Sequence, residues 1–344
     1  MEKYIINKNA TILQALQSLN ALSDAGLTLF VVDEKNVVLG TVTDGDIRRS
    51  LIAGTSLTDG VCSAMNKNIT LLSSKSCDVS VFKKIRSLDI RVVPIVDENR
   101  KLVGVFDSSR MRSMLPIDAV LMAGGKGERL RPLTEKTPKP LVKVGDKCII
   151  DYNIDRLIEF GVKNISVTVN YLKEQIHDHF AEPRRGVKID TVEEPKFLGT
   201  IGSIQFVKEF RNDTILVMNS DLFTNIDFED FYLHFKEHDA MMSVAAVPYT
   251  INVPYGIFDL DGREIKGVKE KPIYNYYANA GIYLFKREAL DLIPKDTFFN
   301  ATDLIDAVTA KGERAIRYPL SGYWIDIGQH ADLAKAQDLV RHLR

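Results

Sequence analysis

The sequence is poor in the residue types that would make several function classes easy to assign. Its 344 residues include three cysteines and one tryptophan. Cys62, Cys77 and Cys148 are an odd number without CxxC spacing, which excludes a disulfide framework and a cysteine-built zinc module and predicts reduced, cytosolic thiols. Neither charge dominates: 45 basic against 46 acidic residues leave a formal net charge of −1, so neither a nucleic acid nor a membrane surface is the expected partner. Long apolar runs are missing too, both at the N-terminus, MEKYIINKNATILQAL, where a signal peptide would need one, and elsewhere. A soluble, cytoplasmic chain long enough for two or more domains is the expectation. The histidines form no metal motif. His177 and His179 are two apart and cannot face one ion from a helix, while His234 and His238 lack a supporting acid or cysteine, so all four read as surface residues.

What is present concentrates in Leu121 to Val144, LMAGGKGERLRPLTEKTPKPLVKV, which follows the short apolar strand predicted at Ile117–Met122. Ala123, Gly124, Gly125 and Gly127 form a loop whose backbone N–H groups can line an anion-binding concavity, and Lys126, Arg129, Arg131 and Lys139 surround it with positive charge. A phosphate is the natural guest. The Walker pattern does not fit, because Lys126 is followed by Gly127 and the metal-binding hydroxyl is missing. The dinucleotide fingerprint does not fit either, because Leu130 stands where its third glycine belongs.

Downstream, helical and strand patterns alternate: helix 149–160, strand 164–169, helix 173–180, strand 187–192, helix 201–210, strand 214–218, helix 228–238, strand 241–247 and a helical tail from Ala331 to Leu343. This alternation predicts a mainly parallel sheet covered on both faces, with ligands beyond the carboxyl ends of the strands. The glycine loop, Glu193-Glu194-Pro195 and Asn219-Ser220-Asp221 all fall at such ends. Asp221, closing an apolar strand, suits Mg²⁺, which binds through one or two carboxylates together with phosphate and water.

Upstream lies an internal repeat. Leu29-Phe30-Val31-Val32-Asp33 and Gly40 superpose at constant offset on Val93-Pro94-Ile95-Val96-Asp97 and Gly104. Each copy is expected to run through an amphipathic helix (Ile12 to Leu22; Val79 to Ser87), strand, turn, strand and a further short helix. Residues 113–117 read as a short hinge.

These motifs carry a resemblance over essentially the whole chain. Gly125-Lys-Gly127-Glu-Arg129-Leu130-Arg-Pro132-Leu133-Thr134, followed by Pro138-Lys139-Pro140-Leu141, is similar to the signature of the sugar-phosphate nucleotidylyltransferases. Glu194 to Gly202 resembles that family's base- and sugar-binding turn, Glu270-Lys271-Pro272 its EKP motif, Asn279-Ala280-Gly281-Ile282-Tyr283 the strand that closes over the sugar, and Trp324-Ile325-Asp326-Ile327-Gly328 its WxDxG motif. Phe299 to Leu304 fits the helix that follows, with Thr302 or Asp303 as its cap. The resemblance implies a Rossmann-like, GT-A-like α/β domain over 116–344 that joins a nucleoside triphosphate to a sugar 1-phosphate.

Arg129 and the loop amides would hold the leaving phosphates, Lys139 the α-phosphate side, Lys271 the sugar phosphate, Glu270, Asn279 and Gly281 the sugar, and Asp221 with Asp326 the Mg²⁺. Gly199 would let the backbone lie against the base, beside Thr200. Glu194 points to guanine, because a carboxylate offers two acceptors to the adjacent N1–H and N2–H₂ donors, although Glu193 is its neighbour. GTP is therefore the favoured nucleotide, with glucosamine 1-phosphate, then mannose or heptose phosphates, as acceptors.

Residues 1–115 resemble a tandem CBS (Bateman) module, with repeats at about 1–57 and 64–115. The first copy carries Gly40, Thr43 and Asp46 in the family's GxxTxxD pattern, implying an adenine nucleotide whose ribose meets Asp46. Asp46 could otherwise be a plain helix N-cap, with the pair serving to dimerise the chain. In the second copy Asp107 and Arg110 replace Thr43 and Asp46, so at most one such site is implied.

Overall fold

In the computed structural model, which describes residues 1–22, 28–75 and 78–343, the chain divides into two compact units, Met1–Met114 and Leu115–Arg344. Cys62 and Cys148 are unpaired thiols, and Cys77 lies outside the described residues. No helix among the described residues is long and apolar enough to cross a membrane.

The first unit is built from two three-stranded sheets of the same design. Ile5–Asn7 pairs parallel with Thr28–Val32, which pairs antiparallel with Val38–Thr43. Leu72–Ser73, Val92–Val96 and Leu102–Asp107 repeat that order and those directions. The register repeats as well. Thr28 faces Thr43 and Val92 faces Asp107, and each sheet shifts register at the corresponding place, between Val31 and Val32 and between Ile95 and Val96. Alternating apolar residues seat these strands on the helices Ile12–Ala21 and Ser80–Ser87, around Phe30 in one copy and Phe82 and Phe106 in the other.

The copies diverge after their last strands. Thr43 caps the helix Asp44–Ile52, and Asp46 is the third residue of a capping box, so the expectation of Asp46 as the N-cap itself is corrected. In the second copy no helix follows. Asp107 Oδ1 instead accepts from the Ser109 N–H (3.0 Å) and hydroxyl (2.6 Å), which holds the chain in a local turn.

The second unit contains a seven-stranded sheet in the order Ile189–Glu193, Asn164–Val169, Asp118–Met122, Thr214–Asn219, Ile273–Lys286, Met242–Asn252, Ala315–Pro319. Six strands run one way and Ile273–Lys286 runs against them. One face packs Val120, Ile215, Val217 and Phe285 against Leu304 and Val308 of the helix Ala301–Ala310. Strand alternation sends Ala119, Leu121, Leu216 and Met218 to the other face. Leu115 and Ile117, expected in a hinge, are buried in this unit, and Leu115 N donates to Phe160 O (3.0 Å).

Two further expectations are corrected. The 201–210 stretch is not an α-helix: it makes one short 3₁₀ turn, Gly202–Phe206, because Ile201 N and Gly202 N both donate to Phe299 O (3.1 Å each) and are drawn away from a helical ladder. The helix Ala301–Ala310 is capped by Asn300, with Asp303 at its third position. Phe285 is fully buried between sheet and helix, so Phe285→Ala should lower the stability of this unit by about 3–5 kcal/mol. A shift in its urea midpoint worth less than about 1 kcal/mol would show that the site collapses around the lost ring.

Candidate functional site

Four parallel strands end at one edge, and the site is assembled there. The strand Asp118–Met122 runs into the glycine loop, and Gly127 turns it with a φ of +63°. A Cβ at Gly127 would come within 3.0 Å of Lys139 and 3.1 Å of Thr134, so glycine is needed both for the turn and for the closeness of Lys139. Thr134 donates its hydroxyl to Gly127 O (2.7 Å), and Leu130, fully buried, anchors the short turn that presents Arg129.

Two cavities meet at this edge. The larger, about 590 Å³, is lined by Gly124 to Arg129, Lys139, Asn170, Phe197, Asp221 and Gly328. A smaller one, about 180 Å³, shares Gly124, Gly125, Phe197 and Asp221 and adds Glu194, Gly199, Thr200, Ser203 and Asn219. Cations gather in the first and a buried carboxylate marks the second. Ala123, expected at the nucleotide, is buried with its N–H donated to Thr168 O (3.0 Å) and lines neither.

Asp221 sits where the strand Thr214–Asn219 ends. Lys139 Nζ pairs with its Oδ2, and both side chains are largely buried. Its Oδ1 is buried without a hydrogen-bond partner. Asp326 arrives on the strand Trp324–Asp326, which pairs with Leu222–Thr224 so that Asp326 faces Leu222. Burial first, and then the charge of Asp221, push the Asp326 carboxyl above its ordinary range, while Lys139 and Arg129 pull it down. An unpartnered carboxylate oxygen beside a second carboxylate that resists ionising fits a hard divalent cation, which would supply the missing positive charge to both.

Glu194 and Glu193 part company in the fold. Glu193 is exposed and bonded to Lys173 (2.6 Å) and His177 (3.2 Å). Glu194 is 6% exposed, and its buried Oε2 and the nearby Ser203 hydroxyl make no hydrogen bond of good geometry. Burial raises the Glu194 carboxyl above its ordinary value, against the lowering influence of the Leu198 backbone and of the Ser203 hydroxyl beside it. Asn170 donates to Glu194 O (3.2 Å) and steadies the turn.

Gly199 has a φ of +81°, and a Cβ there would stand 2.6 Å from Phe299 O. What its lack of a side chain permits is therefore the approach of the 299 backbone, a different reason from the expected contact with a base. Thr200 N donates to Asn300 Oδ1 (3.2 Å), and its hydroxyl accepts from Ala301 N (2.9 Å).

The structure does not bring every expected residue to the cavities. Glu270 and Lys271 are exposed on the turn after the strand Glu264–Lys269, and Lys271 has a φ of +43°. Asn279 is spent locally, accepting from Gly281 N (2.9 Å) and donating to the Tyr283 hydroxyl (2.9 Å). Gly281 lies against Asn219, which does line the smaller cavity. Asn219 and Phe197 lie within motifs the sequence marks, without a role of their own, whereas Asn170 and Ser203 are not marked at all. The rule that ligands meet carboxyl ends of strands reaches Asn170 as well, but nothing local marks Ser203.

The histidines are less superficial than expected. His177 Nδ1 bonds to Thr191 Oγ1 (2.6 Å), and the His234 and His238 rings lie 4.3 Å apart, tilted by 33°. Cys148, Asp151 and His179 bring ligand-type atoms within 4.8 Å of one another. Asp151 Oδ1, however, already bonds His179 Nε2 (2.8 Å) and meets the Arg184 guanidinium at 3.1 Å. Arg184 also grips Asp155 in two-pronged fashion (2.7 and 2.9 Å). Asp151 is thus already engaged by a histidine and a guanidinium, and burial pushes the Cys148 thiol up, so the group reads as an ion-pair latch.

The first unit holds a cavity of about 630 Å³ lined by residues of both copies, among them Thr43, Asp46, Asn66 and Arg91. Thr43 and Asp46 are engaged with each other, Thr43 Oγ1 donating to Asp46 Oδ2 (2.6 Å), and Arg49 takes Asp46 Oδ1 (2.6 Å).

A parallel sheet with a glycine loop, convergent cations and paired acids at its carboxyl edge defines a nucleotide-handling α/β protein. Residues 118–342 match the nucleotidyl transferase family, and the chain belongs to it; residues 2–53 match the CBS domain. The chain is 34% identical over 228 residues to the bifunctional protein GlmU of Methanocaldococcus jannaschii, covering 64% of this chain and 53% of that one. It is 31% identical over 231 residues to a mannose-1-phosphate guanylyltransferase catalytic subunit beta of Dictyostelium discoideum, covering 64% of each. It thus spans between half and two thirds of the length of these relatives. Among solved structures, HddC of Yersinia pseudotuberculosis complexed with GMP-PN shares the fold at a TM-score of 0.51 and 24% identity, over 65% of this chain and 99% of that one.

The raised carboxyl of Glu194 gives a signed prediction. The folded protein holds this proton more tightly than the unfolded chain does, so its contribution to stability falls as pH rises from the ordinary glutamate range through the raised value. Ligand-free Glu194→Gln should match the wild type in thermal unfolding at acidic pH and exceed it at neutral pH. Parallel pH profiles for the two proteins would show that Glu194 ionises without penalty.

Proposed function

We propose that the second unit transfers a nucleotidyl group from GTP to a sugar 1-phosphate, releasing pyrophosphate. The observation that carries the base is Glu194: a buried, acceptor-only side chain with an unpartnered oxygen lines the smaller cavity beside the glycine loop. Guanine offers two adjacent donors to such a group, and an unmet buried acceptor is costly until they arrive. The family match and the mannose-1-phosphate guanylyltransferase relatives support the same reading.

In this reaction an oxygen of the sugar phosphate attacks the α-phosphorus in line. A new P–O bond forms, the α–β anhydride breaks, and the electron pair leaves on pyrophosphate. Arg129 and the loop amides hold the leaving phosphates, and Lys139 answers the charge that builds on the α-phosphate. Asp221 and Asp326 would hold Mg²⁺, whose chemistry is to neutralise phosphate oxygens. Glu270, Lys271, Asn279 and Gly281 are proposed as sugar and sugar-phosphate contacts by resemblance alone, since none of them lines either cavity in this structure.

For the acceptor, the order of a CBS unit followed by a guanylyl-type domain resembles the glucosamine-1-phosphate guanylyltransferase of bacterial legionaminic acid synthesis, so glucosamine 1-phosphate is the proposed sugar. Mannose or heptose 1-phosphate follows. The place of work is the cytoplasm. The first unit is proposed to be a tandem CBS module that binds an adenine nucleotide in its cavity of about 630 Å³, whose lining includes Asp46 from the first copy and a cation, Arg91, from the second.

Pyrophosphate release with Mg²⁺, over the common nucleoside triphosphates against several sugar 1-phosphates, should give its strongest signal with GTP and glucosamine 1-phosphate. Silence throughout, with and without AMP or ATP, would favour instead a nucleotide-sensing protein with a retired transferase unit. Asp221→Asn should cost about 10²–10³ in kcat, and Glu194→Gln about 10- to 100-fold in kcat/KM for GTP. Titration calorimetry of AMP, ADP and ATP into the whole protein should show a heat that Arg91→Ala removes. Heats unchanged by that substitution would remove the CBS cavity from the account.

A further inference from the structure

One large apolar side chain stands exposed where the two cavities of the second unit meet. Phe197 lines both of them, together with Gly124, Gly125 and Asp221. Its side chain is 56% exposed, although the turn that carries it is firmly held. Leu198, the next residue, is buried, and its carbonyl accepts from Phe299 N (2.9 Å). On the other side Lys196 pairs with Asp296 (3.1 Å). The Phe298 ring, itself 53% exposed, meets the Phe197 ring at 62° with the centroids 5.8 Å apart. Phe197 is thus backed by one aromatic neighbour and fixed by its turn, yet the fold leaves more than half of it uncovered beside the cavities.

What crosses this junction follows from what each cavity holds. The larger gathers Lys126, Arg129 and Lys139, which suit phosphates, and the smaller holds Glu194, whose carboxyl suits the edge of a base. A nucleotide reaching from one to the other brings its nucleoside past Phe197. The glycine loop leaves room at the junction, since a Cβ at Gly125 would meet nothing within 4 Å. We propose, on the reading of this unit as a nucleotidyl transfer site, that Phe197 is the stacking surface for the face of the base. Edge and face then have separate tasks. A carboxylate on the edge chooses among bases by their donors, whereas every base has a π-face, so an aromatic ring holds any of them with little discrimination.

Phe197→Ala and Phe197→Trp in the full-length protein test this, by steady-state pyrophosphate release and by fluorescence. Phe197→Ala should raise KM for the nucleoside triphosphate about 10- to 100-fold. Its kcat should change by less than about twofold, because the ring touches no reacting atom. The rise should appear with every base the enzyme turns over, whereas Glu194→Gln should penalise guanine alone. Phe197→Trp should keep a KM near that of the wild type, and nucleoside triphosphate without sugar phosphate should quench its added emission along a binding curve. The wild type, whose one tryptophan is Trp324, gives the background. A folded Phe197→Ala with the wild-type KM, or Phe197→Trp emission indifferent to saturating nucleotide, would overturn the proposal and leave the transferase reading standing. Turnover with a base other than guanine, still weakened by Phe197→Ala, would remove GTP from the account and keep the stacking surface. A wild type that neither turns over nor binds any nucleotide would overturn both. If Phe197→Ala fails to fold, the tryptophan emission decides alone.

Discussion

The site depends on the way one carboxylate is divided between two demands. Asp221 gives one oxygen to Lys139 and leaves the other buried and unmet. That division holds together segments far apart in the chain. Lys139 is fixed by the glycine loop, whose Gly127 leaves it room. Asp326 is fixed because Ile327 N donates to Asp221 O (3.1 Å) and its strand pairs with Leu222–Thr224. The turn that carries Asp221 is tied to the first strand by Ser220 Oγ, which donates to Met122 O (2.7 Å). A rigid sheet end thus supplies the geometry, and electrostatic need is left for a ligand to satisfy.

The same principle governs the smaller cavity. Buried polar atoms in folded proteins are nearly always paired, so Glu194 Oε2, Ser203 Oγ and Asp221 Oδ1, left without well-formed hydrogen bonds around one cavity at the sheet edge, are groups whose polar needs the fold itself does not meet. The surroundings hold them in place. Asn170 bonds the Glu194 backbone, and the Gly199 turn is pinned to the 299–301 backbone by several hydrogen bonds. The first unit shows the converse economy. Its two copies share strand register down to the position of the shift, yet only the copy ending in Thr43 and Asp46 continues into a helix.

Much of this was legible in the sequence where the signal is local. The strands expected at 164–169 and 214–218 announce themselves as short apolar runs, and the glycine loop and the repeat are visible as spacing, while the pairing of Asp221 with Asp326 rests on the family resemblance. Failures came where a distant partner outvoted local pattern. The apolar periodicity of 201–210 suggests a helix, but the Phe299 carbonyl captures two of its amides. One miss has a local cause instead: the second repeat lacks its last helix where Asp107 accepts from Ser109, two residues on, and bends the chain into a turn. The strands Met242–Asn252 and Ile273–Lys286 outrun the sheet, their far ends paired with each other.

By itself, then, the sequence determined the α/β alternation and the glycine loop at the end of its strand, because backbone freedom and apolar period act over a few residues. Only the tertiary structure decided which acids are buried. Glu193 and Glu194 are neighbours of one type, yet alternation along the strand's end turns the first toward Lys173 and solvent and the second inward beside Gly124. Burial, the cause of the shifted Glu194 carboxyl, is a property of what packs around a residue, and those neighbours come from strands and loops that the local sequence does not name.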